Sequence, residues 1–84
     1  MSGGHATLTP LRQLFARRVG LLQRESGLSV PVYARRLDIP AKTFERWAMD
    51  GVVPHADTLV RYALQVDVSL DWLFGLSEER GSAG

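Results

Sequence analysis

The sequence predicts an all-α domain built from five short helices. Apolar residues recur at three- and four-residue steps, residues that favour helix ends separate these stretches, and no stretch shows the alternation of a strand. The chain has 84 residues, of which 45% are hydrophobic, and this suits a single globular domain. We expect the helical domain to cover residues 10–76, with flexible tails at residues 1–9 and 77–84.

The first helix is expected to begin at Thr9-Pro10, because Thr can cap a helix and Pro suits the first helical position. It is expected to end near Gly27, since glycine is favoured just beyond a helix end. Its apolar face is formed by Leu11, Leu14, Phe15, Val19 and Leu22. This face predicts the side of the helix that packs into the core.

The second and third helices follow closely. Ser29 can cap a short helix over about residues 30–37. Pro40 disfavours helical geometry at Ile39, so the third helix starts after it and covers about residues 41–49. Two short helices joined by so few residues cross steeply, and the second of them is presented outward.

The fourth helix is predicted over Ala56–Val66 and the last one over residues 70–74. Ser69 can cap the last helix, and Gly75 can close it.

In the third helix, Phe44 and Trp47 lie at the spacing that faces a core.

Charge is distributed unevenly along the chain. Eight basic and three acidic residues precede Met49, whereas two basic and six acidic residues follow from that position onward. The split predicts a surface that binds phosphate, although a solvated surface with uneven charge would have the same counts.

The residues that most catalytic and metal sites need are missing from this sequence. There is no Cys, the two histidines are His5 and His55, and no glycine-rich phosphate loop is present. We therefore expect no enzyme activity, no metal and no cofactor. No apolar run approaches a membrane span and the N-terminus lacks a signal-peptide pattern, so we expect a soluble cytoplasmic protein.

The most informative stretch is LSVPVYARRLDIPAKTFERWAMDG at residues 28–51, followed by VSLDWLFG at residues 68–75. Together they resemble the phage repressor/Cro-type (XRE-like) helix-turn-helix family, and the resemblance extends over about residues 11–76. It implies a five-helix, lambda-repressor-like bundle that contains a helix-turn-helix. It also implies a sequence-specific repressor of transcription that associates with the nucleoid. Such a protein binds a two-fold operator in duplex DNA as a homodimer and inserts residues 41–49 in the major groove.

Four residues of the third helix take base-contacting positions in this resemblance: Ala41, Lys42, Glu45 and Arg46. Arg46 can donate to guanine through two hydrogen bonds, and Ala41 can pack on a thymine methyl group. Glu45 can accept a hydrogen bond from cytosine or orient Arg46. The alternative is a solvated helix face on which Lys42, Glu45 and Arg46 form an intrahelical ion pair.

The resemblance also suggests residues for the DNA backbone and for a dimer interface. The backbone candidates are Ser29, Thr43, Arg35, Arg36, Arg17 and Arg18. Arg35 and Arg36 suit the end of a helix even without DNA, since cations are favourable there. Arg17 and Arg18 reach DNA only if the first helix borders the groove. The interface candidates are Val52, Val53, Leu70 and Phe74.

The sequence departs from the family pattern at several positions. Val30 stands where many members have a phosphate-binding Gln, Asp38 and Asp67 replace turn glycines, and the loop at residues 52–54 is uncharged. Val30 and the uncharged loop keep open the alternative of a protein-interaction module on the same fold that has lost its DNA contacts. If the chain binds DNA, the sequence does not distinguish a phage or prophage repressor from an antitoxin-type autoregulator.

Overall fold

The structure is a computed structural model that describes the backbone of residues 3–81 and the side chains of residues 10–81. Residues 1, 2 and 82–84 of the predicted tails lie outside the described residues. All regular secondary structure in the described part is helical. The five helices are α1 Gly3–Glu25, α2 Val30–Arg36, α3 Ala41–Asp50, α4 Ala56–Val66 and α5 Leu70–Leu73. The prediction of a five-helix, all-α domain is confirmed.

The first helix begins earlier than its cap residues indicate. α1 starts at Gly3 and passes through Pro10, so the predicted start at Thr9-Pro10 is wrong. A proline lacks the N–H that would donate to the carbonyl four residues before it, but its fixed φ is compatible with a helix. The proline therefore removes one hydrogen bond of α1 without ending the helix. The mobility of both tails stays a prediction.

Local caps set the ends of the shorter helices. The Ser29 hydroxyl accepts a hydrogen bond from the Val32 N–H at 3.4 Å, and the Ser69 hydroxyl accepts one from the Trp72 N–H at 3.0 Å. Gly51 ends α3 with a φ of 70°. Asp38 and Asp67 also adopt left-handed conformations, which aspartate tolerates better than most residues do.

The core is a hydrophobic cluster, rich in aromatic residues, to which all five helices contribute. Its buried residues are Phe15, Val19, Tyr33, Ala34, Ile39, Phe44, Trp47, Tyr62, Ala63, Val68, Trp72 and Leu73. Trp47 is near its centre, with the ring centroid of Tyr62 at 5.5 Å and that of Phe44 at 5.9 Å. Phe44 and Trp47 are thus buried as predicted. Leu11 was expected on the core face of α1, but it is 38% exposed.

Two buried tyrosines connect α2 to α4. The hydroxyl oxygens of Tyr33 and Tyr62 lie 3.0 Å apart, so each polar group has a hydrogen-bond partner inside the core. Burial raises the pKa of both phenols above the ordinary value of 10.0, so they stay neutral to a higher pH than exposed tyrosines do. The pair holds α2 against the rest of the domain.

The first helix packs closely against the end of α3. A Cβ atom added to Gly51 would lie 3.0 Å from the carbonyl oxygen of Arg12. Gly51 therefore allows the close approach of α1 as well as the left-handed turn. This contact sets the position of α3 on the surface of the domain.

The segment after α5 folds back on the domain. The Ser69 N–H donates to the carbonyl oxygen of Arg80 at 2.8 Å. The guanidinium of Arg80 pairs with the carboxylate of Glu25, with N···O distances of 2.7 and 3.1 Å. Hence Arg80 connects the predicted C-terminal tail to the end of α1.

Candidate nucleic-acid interface

Helices α2 and α3 form a helix-turn-helix with a short and well-anchored turn. The Ile39 N–H donates to the carbonyl oxygen of Ala34 at 2.9 Å, and the Ile39 side chain is buried. Ala34 is fully buried, and its small side chain lets α3 approach α2. The next helix begins after Pro40, with the Phe44 N–H donating to the Pro40 carbonyl at 3.0 Å. This geometry presents one face of α3 to the outside.

The two faces of α3 differ completely in exposure. Phe44 and Trp47 are buried, whereas Lys42, Glu45 and Arg46 are exposed. Residues three and four positions apart share one side of a helix, so the three charged residues form a single outer face. They line a shallow depression in the surface. The structure thus brings together three of the four predicted base-contacting residues.

The charged side chains of this outer face are not tied up in ion pairs. Within residues 10–81, the ion pair found joins Arg80 to Glu25, and none joins Lys42, Glu45 or Arg46. The alternative of an intrahelical ion pair on α3 is therefore not observed. The two cations of α3 remain available to an anionic or hydrogen-bonding partner.

The fourth predicted base contact, Ala41, lies at the start of α3 and is half-buried. It borders a cleft between α2 and α3 together with Pro31, Arg35 and Asp38. Pro40 precedes α3 and supplies no side-chain cap, so the first N–H groups of this helix have no capping side chain. Ala41 thus adjoins the outer face at its N-terminal end.

Comparison with known proteins gives one family. Residues 33–80, more than half of the chain, match the bacteriophage CI repressor helix-turn-helix domain. The chain belongs to this family. A search of curated proteins and a search of solved structures each return no match.

The family match begins in α2 and includes all of α3, α4 and α5. It confirms the resemblance to phage repressors. Membership of a CI repressor helix-turn-helix family supports a role for this chain as a DNA-binding regulator. Families of this kind are typically not enzymes. α3 is the second helix of the motif, the position that the recognition helix has in DNA-binding helix-turn-helix domains.

The predicted DNA-backbone contacts on α2 and α3 differ in their exposure. Arg35 and Arg36 are exposed at the end of α2, and Arg35 lines the same cleft as Ala41. Ser29 is exposed at the start of α2, although its hydroxyl already accepts a hydrogen bond from the backbone. Thr43 is half-buried beside the loop that follows α3.

Two neighbouring arginines of α1 have different environments. Arg17 is exposed and lines a groove between α1 and the end of α3. Arg18 is half-buried, donates from Nη1 to the carbonyl oxygen of Trp72 at 2.5 Å, and has its guanidinium carbon 4.6 Å from the centre of the Trp72 ring. The structure thus brings Arg17 to the recognition helix and holds Arg18 at α5.

Two residues near α3 are missing from the sequence-based candidates. Arg12 lines the same groove as Arg17. Met49 is 79% exposed at the end of α3 and borders both this groove and the charged outer face. The three-residue step from Arg46 to Met49 would have been the signal for Met49. Arg12 is five residues from Arg17, a rotation of about 140° on a helix, so no helical spacing indicates Arg12.

The predicted dimer-interface residues fall into two groups. Val52 and Val53 are exposed in the loop after α3. Leu70 and Phe74 are half-buried against the core of their own chain, and the Phe74 ring stacks on Phe15 with centroids 5.3 Å apart. Of the four predicted residues, the two valines are therefore the more accessible to a partner.

Two further kinds of site are absent from the described part of the chain. Its His, Asp and Glu residues form no group of three that could hold a metal ion. None of its helices combines the length and the apolar character needed to cross a membrane.

Proposed function

We propose that this chain is a sequence-specific repressor that inserts α3 in the major groove of duplex DNA. The observation that carries the proposal is the outer face of α3, where Lys42, Glu45 and Arg46 are exposed and form no ion pair. A helix of this size fits the major groove, whose base edges offer hydrogen-bond partners to such side chains. Since its target is genomic DNA, we place its action in the cytoplasm, at the nucleoid.

The four candidate residues of α3 suit different groups on the base edges. Arg46 can donate two hydrogen bonds to guanine O6 and N7, and Lys42 can also donate to guanine. Glu45 can accept from the amino group of cytosine. Ala41 has only a methyl side chain, so its contact would be apolar, with a thymine methyl group. Arg46 is the residue we expect to contribute most to specificity.

Exposed cations around α3 are proposed to bind phosphate. Arg35 lies beside the start of α3, Arg36 is exposed at the end of α2, and Arg17 lies beside the end of α3. Phosphate contacts position a protein on the duplex without reading sequence. Ser29 and Thr43 are assigned the same role with smaller contributions. Arg18 is left out of this set, because Trp72 already holds its guanidinium.

We further propose that two copies bind a two-fold operator. One recognition helix reads only a few base pairs, so specificity requires a second half-site about one helical turn away. Val52 and Val53 follow the recognition helix and are exposed, which favours them as the contact between the copies. Leu70 and Phe74 would contribute only through their outer edges.

The test compares Arg46→Ala with Arg61→Ala, a matched change of an exposed arginine on α4 outside the helix-turn-helix. An operator is first selected with the wild-type chain from random duplexes. Fluorescence anisotropy then measures binding to this operator and to random duplex at two salt concentrations. We expect Arg46→Ala to weaken operator binding by about 1–3 kcal/mol and random binding much less, and Arg61→Ala to have little effect.

Two other results would change the proposal. Equal losses on operator and random duplex would make Arg46 a phosphate contact, because such contacts act on all sequences alike. Absence of duplex binding by the wild-type chain would favour a protein-interaction module. The uncharged loop with Val52 and Val53 exposed is the observation that favours this second function.

A further inference from the structure

Met49 is an unusual residue for the surface on which it lies. Its side chain is 79% exposed, the largest exposed fraction among the large hydrophobic residues of the described chain. It does not belong to the hydrophobic core or to the partly buried residues packed against the core. Exposure of one apolar residue is ordinary, but this one lies on the outer face of the proposed recognition helix.

The position of Met49 continues the charged outer face of α3. Lys42 is three residues from Glu45 and four from Arg46, and these two are four and three residues from Met49, which places the four along one side of the helix. They line the same surface depression together with Asp50. From Lys42 to Met49 the helix rises by about 10 Å, which is within the roughly 12 Å width of the major groove.

Cations lie on both sides of Met49. Arg46 precedes it on α3, while Arg12 and Arg17 form the opposite wall of the groove between α1 and α3. Met49 is therefore inside a surface with more cations than acidic groups, and not at its edge. A duplex that contacts Arg46 on one side and these α1 arginines on the other would cover Met49.

We propose that Met49 is a specificity-determining residue that recognises the C5-methyl group of a thymine. The thioether side chain has no hydrogen-bond donor, and the thymine methyl is the apolar group that base pairs present in the major groove. The contacted thymine lies at the end of the half-site opposite to the one read by Ala41. This inference rests on the proposed insertion of α3 in the major groove.

The experiment removes this methyl group from the DNA. In the operator selected with the wild-type chain, each thymine is replaced in turn by deoxyuridine, which lacks only the methyl group. Binding of the wild-type chain, Met49→Ala and Met49→Leu is measured by anisotropy. Leu64→Ala is the matched control, since Leu64 is a 71% exposed apolar residue on α4.

At one thymine in each half-site, we expect deoxyuridine to weaken wild-type binding about fourfold, the value of one buried methyl-sized group. Met49→Ala should bind the two operators equally, while Met49→Leu and Leu64→Ala should keep the difference. Loss of methyl sensitivity in Met49→Ala at that thymine alone would support the inference and separate Met49 from Ala41.

Different results would contradict the role of Met49 and the proposed DNA-binding function. If Met49→Ala keeps the wild-type ratio at every thymine, Met49 does not read a methyl group, and the DNA-binding function stands. If wild-type binding is insensitive to deoxyuridine at all positions, the inference is also wrong while specific binding remains. A wild-type chain that selects no duplex sequence would overturn both.

Discussion

Arginines serve two regions of this molecule in different ways. Around Trp72, the guanidinium carbons of Arg18 and Arg80 lie 4.6 and 4.7 Å from the ring centre, and both residues also make hydrogen bonds. On the outer face of α3, Arg46 is exposed and forms no ion pair. The cations at Trp72 join distant parts of the chain, whereas those on α3 are available to a partner.

The comparison shows why the count of basic residues is a poor guide to a nucleic-acid interface. Attraction to an aromatic ring and a hydrogen bond to a carbonyl keep a guanidinium in place, and binding to phosphate would require giving up these contacts. A cation without such contacts loses only water when it binds. Substitutions around Trp72 should therefore change the free energy of unfolding, whereas substitutions around α3 should change binding to duplex DNA.

The largest effect is expected for Trp72→Ala. Trp72 is 5% exposed, so truncation leaves a cavity in the core and removes the ring that Arg18 and Arg80 cover. The free energy of unfolding should fall by about 3–5 kcal/mol, measured by urea unfolding. Trp72→Phe, which keeps an aromatic ring, is the control and should lose less. An unchanged urea midpoint in the alanine variant would exclude the Trp72 region from the stabilising core.

An intermediate effect is expected when Arg18→Ala is compared with Arg35→Ala. The Arg18→Ala variant lacks a charge-assisted hydrogen bond and a cation–π contact. Its free energy of unfolding should therefore fall by about 1–3 kcal/mol. Arg35 is exposed, so its removal should change stability by no more than about 0.5 kcal/mol. In duplex binding at a temperature where both variants are folded, only Arg35→Ala should flatten the salt dependence. The reverse pattern would contradict the division between the two regions.

The smallest effect is expected at the exposed pair of Arg80 and Glu25. Hydrogen bonds from Arg80, assisted by its charge, lower the pKa of Glu25 below its ordinary value of 4.5. A carboxyl group whose pKa is lower in the folded state stabilises the fold above its unfolded pKa and loses this effect as pH falls through its folded pKa. Glu25→Gln should therefore lower the melting temperature slightly at pH 7.

The difference between wild type and Glu25→Gln should disappear as pH falls through the folded pKa of Glu25, which lies below 4.5, and it should also shrink in high salt. Thermal unfolding across pH 3–7 at two salt concentrations measures both dependences. A difference that persists at pH 3 would show that Glu25 acts through something other than its charge. Glu78→Gln is a suitable control, because no ion pair of Glu78 is found in the described chain.

Much of the helix-turn-helix can be predicted because its determinants are local. The caps at Ser29 and Ser69 are hydrogen bonds from N–H groups three residues further along the chain, and Asp38 and Asp67 occupy left-handed turns that aspartate tolerates. The helical spacing of Phe44 and Trp47 likewise predicts which side of α3 is buried. The opposite side then follows, and with it the exposure of Lys42, Glu45 and Arg46.

Other features follow a pattern in the sequence but are decided by packing. Leu11 continues the apolar spacing of α1, yet it is 38% exposed and does not belong to the buried core. Phe74 was assigned to an interface between copies, whereas its ring stacks on Phe15 of the same chain. The three- and four-residue spacing of apolar residues identifies the buried side of a helix. It does not show how far along the helix the neighbouring elements extend.

The sequence by itself therefore determined the approximate bounds of four of the five helices, the buried side of α3 and the family of the chain. Tertiary structure alone decided which arginines remain available. Arg17 and Arg18 are adjacent in sequence but point in directions about 100° apart on a helix. One reaches the groove beside α3 and the other reaches Trp72, which lies 54 residues further along the chain. Such long-range contacts arise only when the helices pack, so no local pattern can distinguish the two.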